Sequence, residues 1–385
     1  MSVEAVEGSS DAPALDLNGD YYDYFAEKVH AIATLFIQPF NLAFEKAYTS
    51  VWLPLHPGEF GQAHSKVQEC VHRFVFSAFA IPATLATSVF AIVGMGMTKL
   101  GNLLHSRSYR YIAGDYKESF STKPKVFSLS TSMLPGPLPS KHDGTTPARM
   151  RFERLVDTIR SNNPDFVFLS DLNRWHSSQM ASALRDRYNH LVMDIGLNPK
   201  GLDSGLFIAY RGELASPPIF IPFEDQTKWS NSGFAVVETP DTYYVCTHLE
   251  ENPDSEKPMQ LQLSQLSQIL SHIESECQGK KIVLMGCLNF ESETAPYQLL
   301  IDRGFEDTLP KDIATSTNAL RTRLHNLEEA EEVVEKSNDY IMVLDQENKK
   351  STLELQVIRS YLSNESNEYF HEALSNHHAL LAEFA

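Results

Sequence analysis

Cysteine is scarce in this sequence, and no two cysteines sit at motif spacing. Cys70, Cys246, Cys277 and Cys287 are scattered along 385 residues without a CxxC. That excludes a secreted-type disulfide framework and suggests reduced thiols and no zinc site. Positive charge is short as well. Thirty-two basic residues face fifty acidic ones, a net charge of −18, whereas binding to a phosphate backbone needs clustered Lys and Arg. No stretch interleaves basic and aromatic residues along a groove-like run, so nucleic acid is not an expected partner. The longest charge run, "NLEEAEEVVEK", is acidic and reads as an exposed helix face or loop. Residues 1–20 lack the basic and apolar regions of a cleavable signal and are expected to form a disordered acidic tail, so classical secretion is not expected.

Apolar residues make up 42% of the chain and aromatics 10%, enough for a large core. The length suits one large domain with an extension. From 22 to 48 apolar residues recur at helical spacing, with Pro39 as the expected break. Between Arg73 and Lys99 lies "FVFSAFAIPATLATSVFAIVGMGMT", residues 74–98, without a single charge. Crossing a bilayer takes about 20 apolar residues, and Gly94 and Gly96 suit close helix packing in lipid. We therefore expect a helical region over 21–117 carrying a candidate membrane segment at 74–98. Its other reading is a buried hydrophobic hairpin broken at Pro82. Lys99, Arg107 and Arg110 follow the segment and favour a cytoplasmic side for what comes next, although Lys66 and Arg73 flank the other end.

From residue 118 to 385 strands alternate with helices. "KVFSLST", "PDFVFLSDL", "SGLFIAYR", "GFAVVET", "TYYVCTHL", "KIVLMGCLNF", "NDYIMVLD" and "HHALLAEF" read as strands. "ARMRFERLVDTIRSNN", "MQLQLSQLSQILSHIESE" and "YQLLIDRG" read as helices. Strands outnumber helices, which predicts a layered α/β sandwich of two mixed β-sheets flanked by helices. Polar residues stand at the strand ends: Asp171, His248, Asn289, Asp339 and His377. Each alone is an ordinary loop hydrogen-bonder. Five together mark a site, because strand ends converge in space.

The order of these segments resembles the endonuclease/exonuclease/phosphatase superfamily, the fold of deoxyribonuclease I. Within it, "SGLFIAYR" and "THL" are closest to the neutral-sphingomyelinase-like branch. "PDFVFLSDL" is similar to the family's strand ending in Gln-Glu, and "LMGCLNFESETAPYQLL" to its Gly-Asp-x-Asn strand and following helix. "NDYIMV" is similar to its Asp-Tyr strand and "SNHHALLAEF" to its closing Ser-Asp-His. The resemblance spans about 260 residues in the family order. It implies hydrolysis of a phosphodiester or phosphomonoester with magnesium, which polarises the phosphoryl oxygen.

Residue by residue, the resemblance puts His377 at the closing His, Asp339 at the Asp-Tyr position, Asn289 at the phosphate-holding Asn and His248 at Thr-His-Leu. Other positions depart from the pattern. Asp171 stands where the metal-binding Glu belongs, and Ser130 replaces an Asn. Cys287 replaces the water-orienting Asp, and Asn376 replaces the Asp beside the closing His. A thiol is a poor ligand for hard magnesium and, when neutral, accepts no proton. Its use as a nucleophile needs a lowered pKa. An amide beside a catalytic His keeps geometry and loses rate.

The expectation is a degenerate member, weakly active or inactive, acting as a membrane-associated binding module. Its expected partners are a membrane and a phospholipid head group or other phosphorylated ligand, with a protein partner also allowed. The alternative is a working magnesium-dependent phosphodiesterase or phosphatase acting on a phospholipid or phosphoinositide.

Overall fold

The structure, a computed structural model, describes residues 21–52, 66–116, 123–133, 148–197, 203–225, 231–250, 258–309, 314–317, 335–346, 353–358, 375 and 377–384. The expected acidic tail at 1–20, most of the acidic run at 326–336 and Asn376 lie outside these residues.

Two long helices come first, α1 (Tyr21–Trp52) and α2 (Lys66–Leu104). They are followed by β1 (Arg110–Ala113), β2 (Lys125–Met133), α3 (Ala148–Asn162) and β3 (Phe166–Leu172). Next come α4 (Arg174–Leu184), β4 (His190–Met193), β5 (Phe207–Tyr210) and β6 (Ile219–Pro222). The middle of the chain forms β7 (Gly233–Glu238), β8 (Thr242–His248), α5 (Pro258–Glu276), β9 (Lys281–Cys287) and α6 (Ala295–Asp302). Three short strands follow, β10 (Glu306–Asp307), β11 (Ser316–Thr317) and β12 (Glu335–Lys336). The last strands are β13 (Asp339–Leu344), β14 (Leu353–Ile358) and β15 (Ala379–Phe384).

The strands build a seven-stranded sheet, β1-β4-β5-β3-β2-β15-β14, and a six-stranded sheet, β10-β13-β9-β8-β7-β6. Both are mixed: β2 runs parallel to β3 and β8 to β9, while their other neighbours are antiparallel. Alternation along β3 explains why its sequence is apolar throughout. Phe166 and Phe168 point into the layer between the sheets with Tyr244, Cys246, Val283 and Met285. Val167 and Leu169 point the other way, among Leu155, Ile159, Met180 and Leu184 of α3 and α4. A strand covered on both faces reads as an unbroken apolar run. Leu266, Ile269, Leu270 and Leu300 of α5 and α6 cover the second sheet in the same way. The result is the layered sandwich expected, two sheets between helices.

Three features depart from the sequence reading. Strand β1 pairs with β4 from Arg110 to Ala113, so sheet residues precede position 118. Helix α1 continues through Pro39, and α2 through Pro82. Proline removes one hydrogen bond and crowds the preceding turn, yet here the two helices pack along each other and carry the chain past both breaks. They approach closely at Gly101, where a side-chain carbon would lie 2.4 Å from His30 Cε1, and at Gly94, where it would lie 2.6 Å from Ile37 Cγ1 and 2.8 Å from Ala33 O. Most of the rest of α2 is exposed. Only 11% of its most apolar window, within Arg73–Leu104, is buried, and Phe74 and Phe79 are about three-quarters exposed.

The foot of this hairpin is polar and docks on the sandwich. Arg110 donates to Glu27 and to Asp194, whose side chain is fully buried. Arg174 reaches Asn102 at 2.7 Å, His30 at 2.8 Å and Asp194 at 3.2 Å. Asp23 accepts from the Ser106 backbone and faces His105. Burial pulls the Glu27 carboxyl upward, but hydrogen bonds from Arg110 and His105 and their charges outweigh it and hold it near about 2.

Candidate functional site

Chain direction brings the polar strand ends together. β4 and β3 are each antiparallel to β5, so they run the same way and end at one edge. Asp171 closes β3 there, and Ser130 lies beside it on the parallel β2. From the other sheet, His248 and Cys287 end β8 and β9 side by side. Asp339 begins β13 directly opposite Cys287 in the antiparallel register. His377, just before β15, completes the group.

The closest link is between His377 and Asp339, with Nδ1 2.7 Å from Oδ2, and both side chains are buried. Two hydroxyls set that pair. Thr315 Oγ1 accepts from the Asp339 backbone N–H at 3.0 Å, and Ser375 Oγ accepts from that of His377 at 3.1 Å while donating to Ser130 O. A second group surrounds Asn289. Its amide donates to Leu249 O at 2.7 Å and reaches His248 Nε2 at 3.2 Å, while its carbonyl faces the Cys287 thiol at 3.3 Å. Its backbone is held from below, since Gln262 donates to Asn289 O at 2.6 Å.

Asp171 joins the two sheets. Ser130 Oγ donates to Oδ2 at 3.1 Å, and His248 Nδ1 lies 3.3 Å from Oδ1. That last approach is off the hydrogen-bond direction, and Nδ1 is buried without a hydrogen-bond partner. Asp171 and Asn289 both have left-handed backbones, at φ 53° and 54°. Asp and Asn tolerate that region best among residues with side chains, and such positions cluster at functional sites. Gly286 is the tightest point. Its φ is +139°, and a side-chain carbon there would lie 1.8 Å from Thr247 O, so only glycine lets β8 and β9 run together into His248 and Cys287.

The charge state of Cys287 follows from its surroundings. Burial first, then the charges of Asp339 and Asp171, push its thiol well above the ordinary range. It is therefore a neutral thiol at physiological pH, neither a base nor an activated nucleophile.

Seven of the eight positions singled out by sequence, all but the undescribed Asn376, come together in this one place. Thr315, Ser375 and Gln262 were missed as supports. Ser375 sits within the quoted "SNHHALLAEF", but Thr315 and Gln262 carry no sequence signal, since their roles arise from long-range packing.

Comparison with known proteins gives the same frame. The model of the endonuclease/exonuclease/phosphatase family matches residues 142–344. Among solved structures, a beta toxin of Staphylococcus aureus aligns with TM-score 0.54 at 16% identity, over 67% of this chain and 99% of its own. SmcL aligns with TM-score 0.54 at 17% identity, over 69% and 100%. A humanized TDP2 of D. rerio aligns with TM-score 0.50 at 14% identity, over 69% and 100%. No curated protein matches the sequence. Another beta toxin structure carries bound magnesium ions. The residues here do not fit a magnesium centre of the kind the resemblance implies. Asp171 and Ser130 offer oxygens, but position 287 presents a neutral sulfur where a hard cation and its water need a carboxylate.

Proposed function

The chain belongs to the endonuclease/exonuclease/phosphatase family, and we propose that it acts as a membrane-associated module that recognises a phosphorylated head group, with magnesium-dependent turnover weak or absent. The observation that carries this reading is Cys287, a buried neutral thiol facing an otherwise intact Asp339–His377 pair. A thiol in that state takes no proton from water, so the step that would generate the nucleophile has no acceptor at this position. A group suited to donate to an anionic oxygen remains, His248 Nδ1, and the Asn289 amide orients its ring through Nε2 at 3.2 Å.

Membrane association is supported by the hairpin and by its attachment. At 1.5 Å per residue, the uncharged segment 74–98 is about 37 Å long as a helix, against a hydrocarbon core of about 30 Å. Its foot meets Arg110, Arg174 and Asp194 at the edge where β3 and β4 end. The same edge carries Asp171, three residues before Arg174. A bilayer that takes up the apolar length therefore brings its head groups to the site. A second reading, a working phosphoesterase on a phospholipid, draws support from the intact His377–Asp339 pair.

Flotation of the full chain with vesicles tests the proposal. Vesicles of phosphatidylcholine should carry the protein, and adding a phosphoinositide should increase the bound fraction. His248→Ala with Asn289→Ala should remove the increase and leave the basal binding. A chain that stays in the aqueous fraction with every vesicle, or an increase untouched by the two substitutions, would sink it.

A further inference from the structure

The side chains of Cys287, Asp339 and His377 come from three separate strand ends and are all buried, at 1%, 2% and 6% exposure. One potential ligand atom from each, a sulfur, a carboxylate oxygen and an imidazole nitrogen, lies within 4.8 Å of the other two. Cys287 and Asp339 are cross-strand partners in the β9–β13 ladder, and His377 is tied to Asp339 at 2.7 Å. Two members of the trio are therefore held by the β9–β13 ladder, and His377 stands two residues before β15, bridged to Ser316. Asp171, where the resemblance implies magnesium, is not part of it.

We propose that this trio is a binding site for a thiophilic divalent cation, of which zinc is the natural example, in place of the family's hard magnesium. The chemistry of the donors decides the class of ion. Thiolate, imidazole and carboxylate together are a zinc-type set, and three protein ligands leave a fourth, open position on a tetrahedral ion. Magnesium prefers six oxygens and holds its waters, so sulfur excludes it from this set. Binding displaces the Cys287 thiol proton to solvent and forms a metal–sulfur bond. The ion then sets two positive charges beside Asp339 and near Asp171, offsetting carboxylates that would otherwise repel an anion. A water or a phosphate oxygen can fill the open position. No local pattern signals this site, because positions 287, 339 and 377 have no zinc-type spacing and meet only when the sheets pair.

This inference does not depend on the head-group reading, and its test involves neither lipid recognition nor phosphate. The full chain, kept in detergent and carrying Cys70→Ser to remove the exposed thiol, is titrated with cobalt(II) as a spectroscopic stand-in. The expected result is one cobalt per chain with a thiolate-to-cobalt charge-transfer band, displaced by stoichiometric zinc and unaffected by a large excess of magnesium. Cys287→Ser should abolish the band, and Asp339→Asn or His377→Ala should each weaken binding by more than the roughly 10–100-fold that loss of an outer-shell partner costs. Absence of the band in the parent chain, its persistence in Cys287→Ser, or its displacement by magnesium would overturn the proposal. Circular dichroism of each variant separates lost binding from lost fold.

Discussion

Replacing Arg110 with leucine should loosen the hairpin from the sandwich, and the cost can be worked from its partners. Arg110 is 11% exposed and holds two carboxylates, Glu27 at 2.5 Å and Asp194 at 2.9 Å. Removing one partner of a buried ion pair typically costs about 3–5 kcal/mol, because the other charge stays buried and uncompensated. Two features reduce that here. Asp194, fully buried, keeps Arg174 at 3.2 Å and the Ser177 hydroxyl, and Glu27 is one-third exposed and can rehydrate. About 2–3 kcal/mol remains. For a domain of this size each kcal/mol moves Tm by about 2–4 °C, so Arg110→Leu should lower Tm by about 4–12 °C. The assay is thermal unfolding of the full chain in mild detergent, followed by tryptophan fluorescence, with Trp175 adjoining Arg174 as a local reporter. Glu27→Gln alone should cost less, and the double variant less than the sum, since both changes remove the same contact. A single variant melting within about 1 °C of the parent would refute the view that these ion pairs fasten the hairpin.

Other outcomes follow from the same structure. Gly286→Ala should disrupt the β8–β9 ladder, because the added carbon would fall 1.8 Å from Thr247 O at a φ of +139°. We expect a loss of more than about 4 kcal/mol, or failure to fold, in a denaturant titration. Alkylation at mild pH read by intact mass should label the exposed Cys70 and spare the buried Cys246, Cys277 and Cys287. The Cys277 thiol is pushed up to about 11 by burial first and then by Glu238 and Glu276. Its contribution to stability is then complete below the ordinary thiol range and lost as pH rises from about 9 toward about 11. The denaturation midpoint should fall across that window, and Cys277→Ala should flatten the slope.

Much of this architecture was legible in the chain. Period-two and all-apolar runs located the long strands of both sheets except β14, and helical spacing located α3, α5 and α6 but not α4. The misses have physical causes. β1, β4 and β6 are four-residue strands, too short for a periodicity to declare itself, and they exist because neighbours offer backbone partners. Pro39 reads as a break, and Pro82 as one in the hairpin alternative, yet packing between α1 and α2 carries both helices through. At the site, strand ends announced Asp171, His248, Asn289, Asp339 and His377, since a polar residue after a buried run is conspicuous. The hydroxyls of Thr315 and Ser375 work through contacts spanning up to 245 positions in the chain, which no local pattern encodes. The docking cluster of Glu27, Arg110, Arg174 and Asp194 was equally invisible, because each residue alone looks like an ordinary surface charge.

The central claim is that Cys287, together with Asn376, disables magnesium-dependent hydrolysis at a site whose Asp339–His377 pair is assembled. The direct measurement is phosphodiesterase turnover of the full chain with magnesium, using vesicles containing sphingomyelin or phosphoinositide. The parent chain is set beside Cys287→Asp/Asn376→Asp and a His377→Ala control. The account predicts at most weak turnover in the parent, and a gain of at least about a hundredfold when both carboxylates are restored. Parent turnover that matches the restored variant and disappears in His377→Ala would contradict it.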